Sequence, residues 1–122
     1  MIKILEGFPE PIVALSCEGH VTRADYERVL IPRVNAALAA DGRVRLYYEF
    51  GPAFSGIDAG AGWEDLKMGV EHLSCWERVA VVADVRWIQL TLEAFRLLMP
   101  RRLRIFNTSR TNEARAWIKA SG

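Results

Sequence analysis

The side chains of this 122-residue chain that could do chemistry fall into three small groups. His72 and Cys75 stand three positions apart, and Cys17 lies close to His20. Either pair could supply a thiolate nucleophile and its imidazole base, an arrangement that also needs a third group to orient the base. Neither pair has an orienting carboxylate at a suitable spacing, so both read as structural residues. A metal site needs three or four convergent ligands, and two His and two Cys could supply one only by coincidence. The third group is acidic: Glu49, Asp58, Glu64 and Asp65 flank the stretch FGPAFSGIDAGAGW. Two of these carboxylates could work as an acid–base pair, but Glu64 and Asp65 read more simply as first-turn acids favoured by a helix N-terminus. From Gly51 to Gly62 the chain reads as a glycine-rich loop between a strand and a helix, where phosphate cradles occur. Gly60-Ala61-Gly62 starts like a dinucleotide fingerprint, yet Asp65 replaces its third glycine and no P-loop lysine follows. With Phe54, Ile57 and Trp63 among its small residues, this loop suits an apolar lid at the carboxyl end of a strand. No catalytic residue, metal or cofactor is expected.

The elements that must position these residues alternate regularly. Ile2–Glu6 and Ile12–Cys17 read as strands joined by a turn from Gly7 to Pro11. Thr22, with Asp25 three residues on, makes a variant capping box for a helix with the stripe Tyr26, Val29, Leu30, Val34, Ala37 and Leu38. Pro32 should kink that helix and Gly42 should end it. Val44–Phe50 is the next strand, and Trp63, Leu66, Val70 and Leu73 keep helical spacing after the loop. Arg78–Ala83 is a short, continuous apolar run of the kind found in parallel strands buried on both faces. Arg102–Phe106 is a fifth strand, followed by a helix from Asn112 to Ala120. The expected fold is α/β, order β-β-α-β-α-β-α-β-α, with a mixed, mostly parallel five-stranded sheet and helices on its faces. One domain, residues 1–122, accounts for the length.

The segment between Asp84 and Pro100 is the most informative. On a helical wheel Gln89, Glu93 and Arg96 share a narrow sector and apolar residues fill roughly 220°, more than the ~100° stripe a surface helix needs. One edge of that arc, Trp87, Leu90, Ala94 and Leu97, has no obvious partner within the domain. It must face a second subunit, a membrane, an apolar ligand or another element of the fold.

The net charge of +1 conceals a split. Residues 1–85 carry 8 Lys/Arg against 13 Asp/Glu, whereas residues 86–122 carry 8 Lys/Arg against 2 Asp/Glu. Such asymmetry fits contact with a polyanion or an anionic membrane, or mutual neutralisation inside the fold. Arg101, Arg102 and Arg104 cluster, but strand alternation makes them one solvated face without interleaved aromatics, so no nucleic-acid partner is expected. No apolar run is long enough to span a bilayer, no secretory leader is evident and cysteines are few. A cytoplasmic location follows, with access to the inner face of the cell membrane.

The segments WEDLK, His72-x-x-x-x-Glu77-Arg78-Val79-Ala80-Val81-Val82 and Ala114-Arg115-Ala116-Trp117-Ile118 give the chain a resemblance. It resembles the SpoIIAA-like proteins of the STAS superfamily, small bacterial domains whose fold is also compared with CRAL-TRIO lipid carriers. The resemblance implies a non-enzymatic binding or regulatory role. Anti-sigma-factor antagonists of that superfamily switch partners through a phosphorylated serine in an Asp-Ser motif at the start of the second helix. Here Ile57-Asp58-Ala59-Gly60 stands at that place, and alanine lacks the hydroxyl. For the SpoIIAA-like branch the resemblance implies membrane association or small apolar ligands.

Two functional expectations emerge. In the first, the domain binds an apolar or amphiphilic small molecule or an anionic membrane surface. Trp87, Leu90, Ala94 and Leu97 would insert beside Phe54, Ile57, Asp58 and Trp63, with Arg86, Arg101 and Arg102 meeting headgroups. In the second, the same face is an interaction surface for a homodimer or a regulatory partner.

Overall fold

The computed structural model of the protein describes residues 1–9, 12–58, 75–97 and 102–120. Its centre is a five-stranded sheet in the sequential order β1 (Ile2–Ile4), β2 (Ile12–Val21), β3 (Val44–Ile57), β4 (Trp76–Val82) and β5 (Leu103–Phe106). β1 is antiparallel to β2, with Ile2 opposite Cys17 and Ile4 opposite Leu15. The other three pairings are parallel. The mixed, mostly parallel architecture expected from the sequence is the one observed. The expected helix carrying Leu66, Val70 and Leu73 lies outside the described residues.

β3 departs from its expected bounds. The glycine-rich loop was placed from Gly51 onward, but the strand continues through Ile57. Its partner explains this. β2 also runs beyond Cys17, through a register shift at Gly19, and pairs Gly19, His20 and Val21 with Phe54, Gly56 and Ile57. Gly19 has φ +59°, a left-handed conformation that carries the irregularity without a Cβ penalty. A phosphate-cradling loop between residues 51 and 57 is thereby excluded.

Thr22 ends β2 and caps the first helical segment as expected. Its hydroxyl accepts from the Asp25 N–H, and the Asp25 carboxylate accepts from the Thr22 N–H at 2.8 Å. The helix then runs through α1 (Arg23–Asp25), a π turn over Tyr26–Leu30 and α2 (Ile31–Asp41). The π turn is how the chain accommodates Pro32. Proline offers no N–H to the carbonyl four residues back and crowds it. The Ile31 N–H reaches instead to Tyr26 O, one residue further than in an α-helix. Gly42, at φ +71°, closes α2.

The strands' alternation divides the interior into two cores. On the first face Leu15, Cys17, Leu46, Tyr48 and Val81 pack against Tyr26, Leu30 and Val34 of the α1–α2 segment and Ile88 of α3 (Arg86–Phe95). On the second, Ala14, Tyr47, Ala80, Val82 and Phe106 pack against Ala114 and Ile118 of α4 (Thr111–Lys119), with Phe8 from the β1–β2 connection alongside.

The hydrogen bond from the Thr22 backbone is the main reason the Asp25 carboxyl titrates below its ordinary 3.8, with the Thr22 hydroxyl adding to it. A depressed native value means that this stabilisation is complete above the unfolded carboxyl's ~3.9 and is lost as pH falls through the native value. Thr22→Ala should lower stability by about 1 kcal/mol in urea unfolding at pH 7. The stability gap between wild type and Asp25→Asn should be widest at neutral pH and shrink on acidification.

Candidate functional site

The turns at the carboxyl ends of β4 and β5 are built from polar side chains that satisfy exposed backbone. Asp84 accepts from the Thr108 hydroxyl at 2.6 Å and from its N–H at 2.9 Å, and these bonds, the hydroxyl first, hold its carboxyl below the usual range. Gln89 donates to Ala83 O at 2.7 Å and to Asn107 Oδ1 at 3.1 Å. Together they tie the start of α3 to the turn after β5. Asp84 therefore lies outside the helix, which begins at Arg86.

α3 turns Ile88 and Leu92 onto the first core. At 100° per residue the opposite side carries Trp87, Leu90 and Ala94, and the turn beyond the helix carries Leu97. Trp87 is 51% exposed, Leu90 60% and Leu97 84%, and Ala94 is exposed as well. The edge of the arc for which the sequence offered no partner thus meets solvent. Phe54 joins this surface to the interior: its ring lies 6.5 Å from that of Trp87 and packs edge-on against buried Phe50 at 4.9 Å. Beside Leu90 an open groove of about 390 Å³ runs between α3 and β5, lined by the polar Arg86, Gln89, Glu93 and Asn107 and the apolar Leu90 and Ile105.

Of the residues singled out by sequence, the structure gathers Phe54, Arg86, Trp87 and Leu90 at one end of this surface, with Ala94 and Leu97 following along the helix. Ile57 is half-buried against the first core. Asp58 is committed elsewhere, to the His20 ring. Arg102 donates to Trp76 O at the amino end of β4, at the opposite end of the sheet from Arg86. Trp63 and Arg101 lie outside the described residues, as do Glu64, Asp65 and His72.

The other chemical candidates are drawn apart. Cys17 is buried in the first core while His20 is exposed, so they form no nucleophile–base pair. The carboxylate that His20 lacked in sequence is Asp58, 38 residues away. Glu49 accepts from the Tyr47 hydroxyl at 2.6 Å and from Arg115 Nη2 at 2.8 Å. Burial and that donation to Glu49 push the Tyr47 phenol well above its ordinary value. Glu49 and Asp58 share no partner and make no acid–base pair. Sequence reading missed the groove's Gln89 and Asn107. The only signal was Gln89 in the narrow polar sector of an apolar-rich helix.

The chain belongs to the SpoIIAA-like family, whose sequence pattern matches residues 12–119. Its fold is similar to the crystal structure of an uncharacterized protein from Shewanella loihica with a SpoIIAA-like fold. The two are 24% identical over 96% of this chain and 93% of that one, with a TM-score of 0.71. No curated protein matches the chain. The SpoIIAA-like fold is that of a regulatory or interaction module, a class that works by contact surfaces. No helix among the described residues is long and apolar enough to cross a membrane.

Gln89→Leu removes the side-chain donor to Ala83 O. Thermal unfolding should show a loss of about 1 kcal/mol, the net worth of a hydrogen bond of this kind.

Proposed function

We propose that the protein is a non-enzymatic binding module that takes an amphiphile, most readily the surface of an anionic membrane, on the outer face of α3. The observation that carries this reading is the solvent-exposed stripe Trp87, Leu90, Ala94 and Leu97, set opposite the side of the same helix that fills the core. A soluble domain gains nothing from holding a tryptophan and two leucines in water along one helix face. Burying such a surface yields about 25 cal/mol per Å². Arg86, exposed next to Trp87, would add an attraction of about 1 kcal/mol to an anionic surface. Trp87 suits an interface because its ring is apolar while its N–H can stay hydrated. Access from the cytoplasmic side of a membrane is consistent with this mode, in which the helix lies in the interface plane without spanning it.

Vesicles of phosphatidylglycerol and phosphatidylcholine provide the test. The wild-type protein should co-sediment with them, less so at high ionic strength because the arginine contribution is screened. Leu90→Ser combined with Leu97→Ser should weaken co-sedimentation at least tenfold with an unchanged melting curve, since both side chains are exposed. Absence of wild-type binding, or equal binding by the double variant, would refute the reading. A concentration-dependent dimer that the same double variant dissociates would make the face a subunit interface instead.

A further inference from the structure

On the opposite face of the sheet, arginines and aromatic rings interleave in space although they do not in sequence. The Arg104 guanidinium lies 5.0 Å from the Phe106 ring centroid and 5.2 Å from that of Trp117. Arg78 covers Trp117 at 5.2 Å, and Arg110 covers Phe106 at 5.5 Å. The order is Arg78, Trp117, Arg104, Phe106, Arg110, with each ring contacted by two guanidinium groups. Arg110 is paired with Glu113, and Arg78 donates to Trp117 O. Arg104 is exposed and has no acidic partner among the described residues. Stacking holds its planar fork in one orientation, which is the preparation that bidentate carboxylate binding needs.

Arg104 stands on an open edge. Among the described residues β5 is at the edge of the sheet and pairs only with β4. The Val79 N–H donates to Arg102 O and the Ala83 N–H to Phe106 O. In a parallel ladder the even-numbered residues of β5 therefore turn their backbone groups toward β4, and Leu103 and Ile105 turn theirs outward. Among the described residues those outward groups have no hydrogen-bond partner. Residues 102–110 contain three arginines and no acid.

We propose that the β5 edge binds an extended acidic peptide segment, which adds as a sixth strand. Its backbone pairs with Leu103 and Ile105 while alternate Asp or Glu side chains meet Arg104 and its neighbours. Main-chain pairing supplies affinity in such additions, and side chains on alternate positions supply selectivity. Nucleic acid fits less well, because the ring faces on which bases would stack are already occupied by guanidinium groups. The exposed apolar stripe of α3 lies on the other face of the sheet, so this site is separate from the proposed membrane-facing one.

A short, fluorescently labelled peptide of alternating glutamate and threonine, followed by polarisation at low ionic strength, tests the proposal. It should bind the full-length protein, and an alternating lysine–threonine peptide should not. Proline in place of a central threonine removes a ladder donor and should weaken binding at least tenfold. Arg104→Glu should abolish binding. Arg104→Lys, which keeps a stacked cation but loses the fork, should weaken it severalfold and covers the case in which the glutamate variant fails to fold. Failure of the acidic peptide to bind, equal binding of the lysine or proline peptide, or indifference to both Arg104 substitutions would overturn the proposal. So would an oligothymidine that binds in preference to the peptide and depends on Arg104.

Discussion

A parallel sheet must be covered on both faces, and in this molecule the second cover is held in place by arginines at a helix end. Strands β2 to β5 follow one another in sequential order. Right-handed crossovers between consecutive neighbours deliver their helices to the same side of a sheet, and α2 and α3 indeed share the first core. The second face is covered by α4. Arg45 donates to Ile118 O at 2.9 Å and Ala120 O at 2.6 Å, and Arg78 donates to Trp117 O at 2.7 Å. These carbonyls lie at the partly negative carboxyl end of α4. Two strands of the sheet thus grip the terminus of the helix that protects them, and Glu77 in turn holds Arg45. Tyr47 and Glu49 meet Arg115 in the middle of the same helix.

The crowding of the first face has its own consequence. The α1–α2 segment supplies Tyr26, Leu30 and Val34, so α3 needs to bury only the strip containing Ile88 and Leu92. A helix covering one side of a sheet uses about 100° of its circumference. Trp87 and Leu90 of α3, and Leu97 beyond it, are left exposed as a stripe rather than as a single scattered leucine. The polar atoms of Gln89, by contrast, are absorbed by Ala83 O and Asn107.

The architecture was legible because its signals are local and periodic. The Thr22–Asp25 box, the Gly42 terminator and the continuous apolar run Arg78–Ala83 each depend on a few adjacent residues, and the structure has the cap, the terminator and, for the run, the strand Trp76–Val82. The surplus on α3 was legible for the same reason, as a count of apolar positions around one helix. What could not be read was pairing across distance. Gly51 to Ile57 has the composition of a loop, and it becomes a strand only because β2 extends past Gly19 to partner it. His20 finds Asp58, and Glu49 finds Arg115. Each meeting joins residues far apart in the chain, where one sequence gives no distance. Arg104 looked like one solvated position on an alternating strand, because the rings it stacks on include Trp117 from a different element.

The charge split also takes on a different meaning in three dimensions. Neutralisation between the acidic and basic parts of the chain would require ion pairs that cross from one to the other. Most of the described pairs stay within a part: Lys3–Glu18, Arg23–Glu27, Arg43–Glu77 and Arg45–Glu77 in the first, Arg96–Glu93 and Arg110–Glu113 in the second. Glu49–Arg115 crosses. Arg104 is instead stacked on the Phe106 and Trp117 rings and has no acidic partner among the described residues. A guanidinium on a ring keeps its field, whereas one on a carboxylate largely loses it. Arg104 therefore presents positive charge on the side of the sheet away from the apolar stripe.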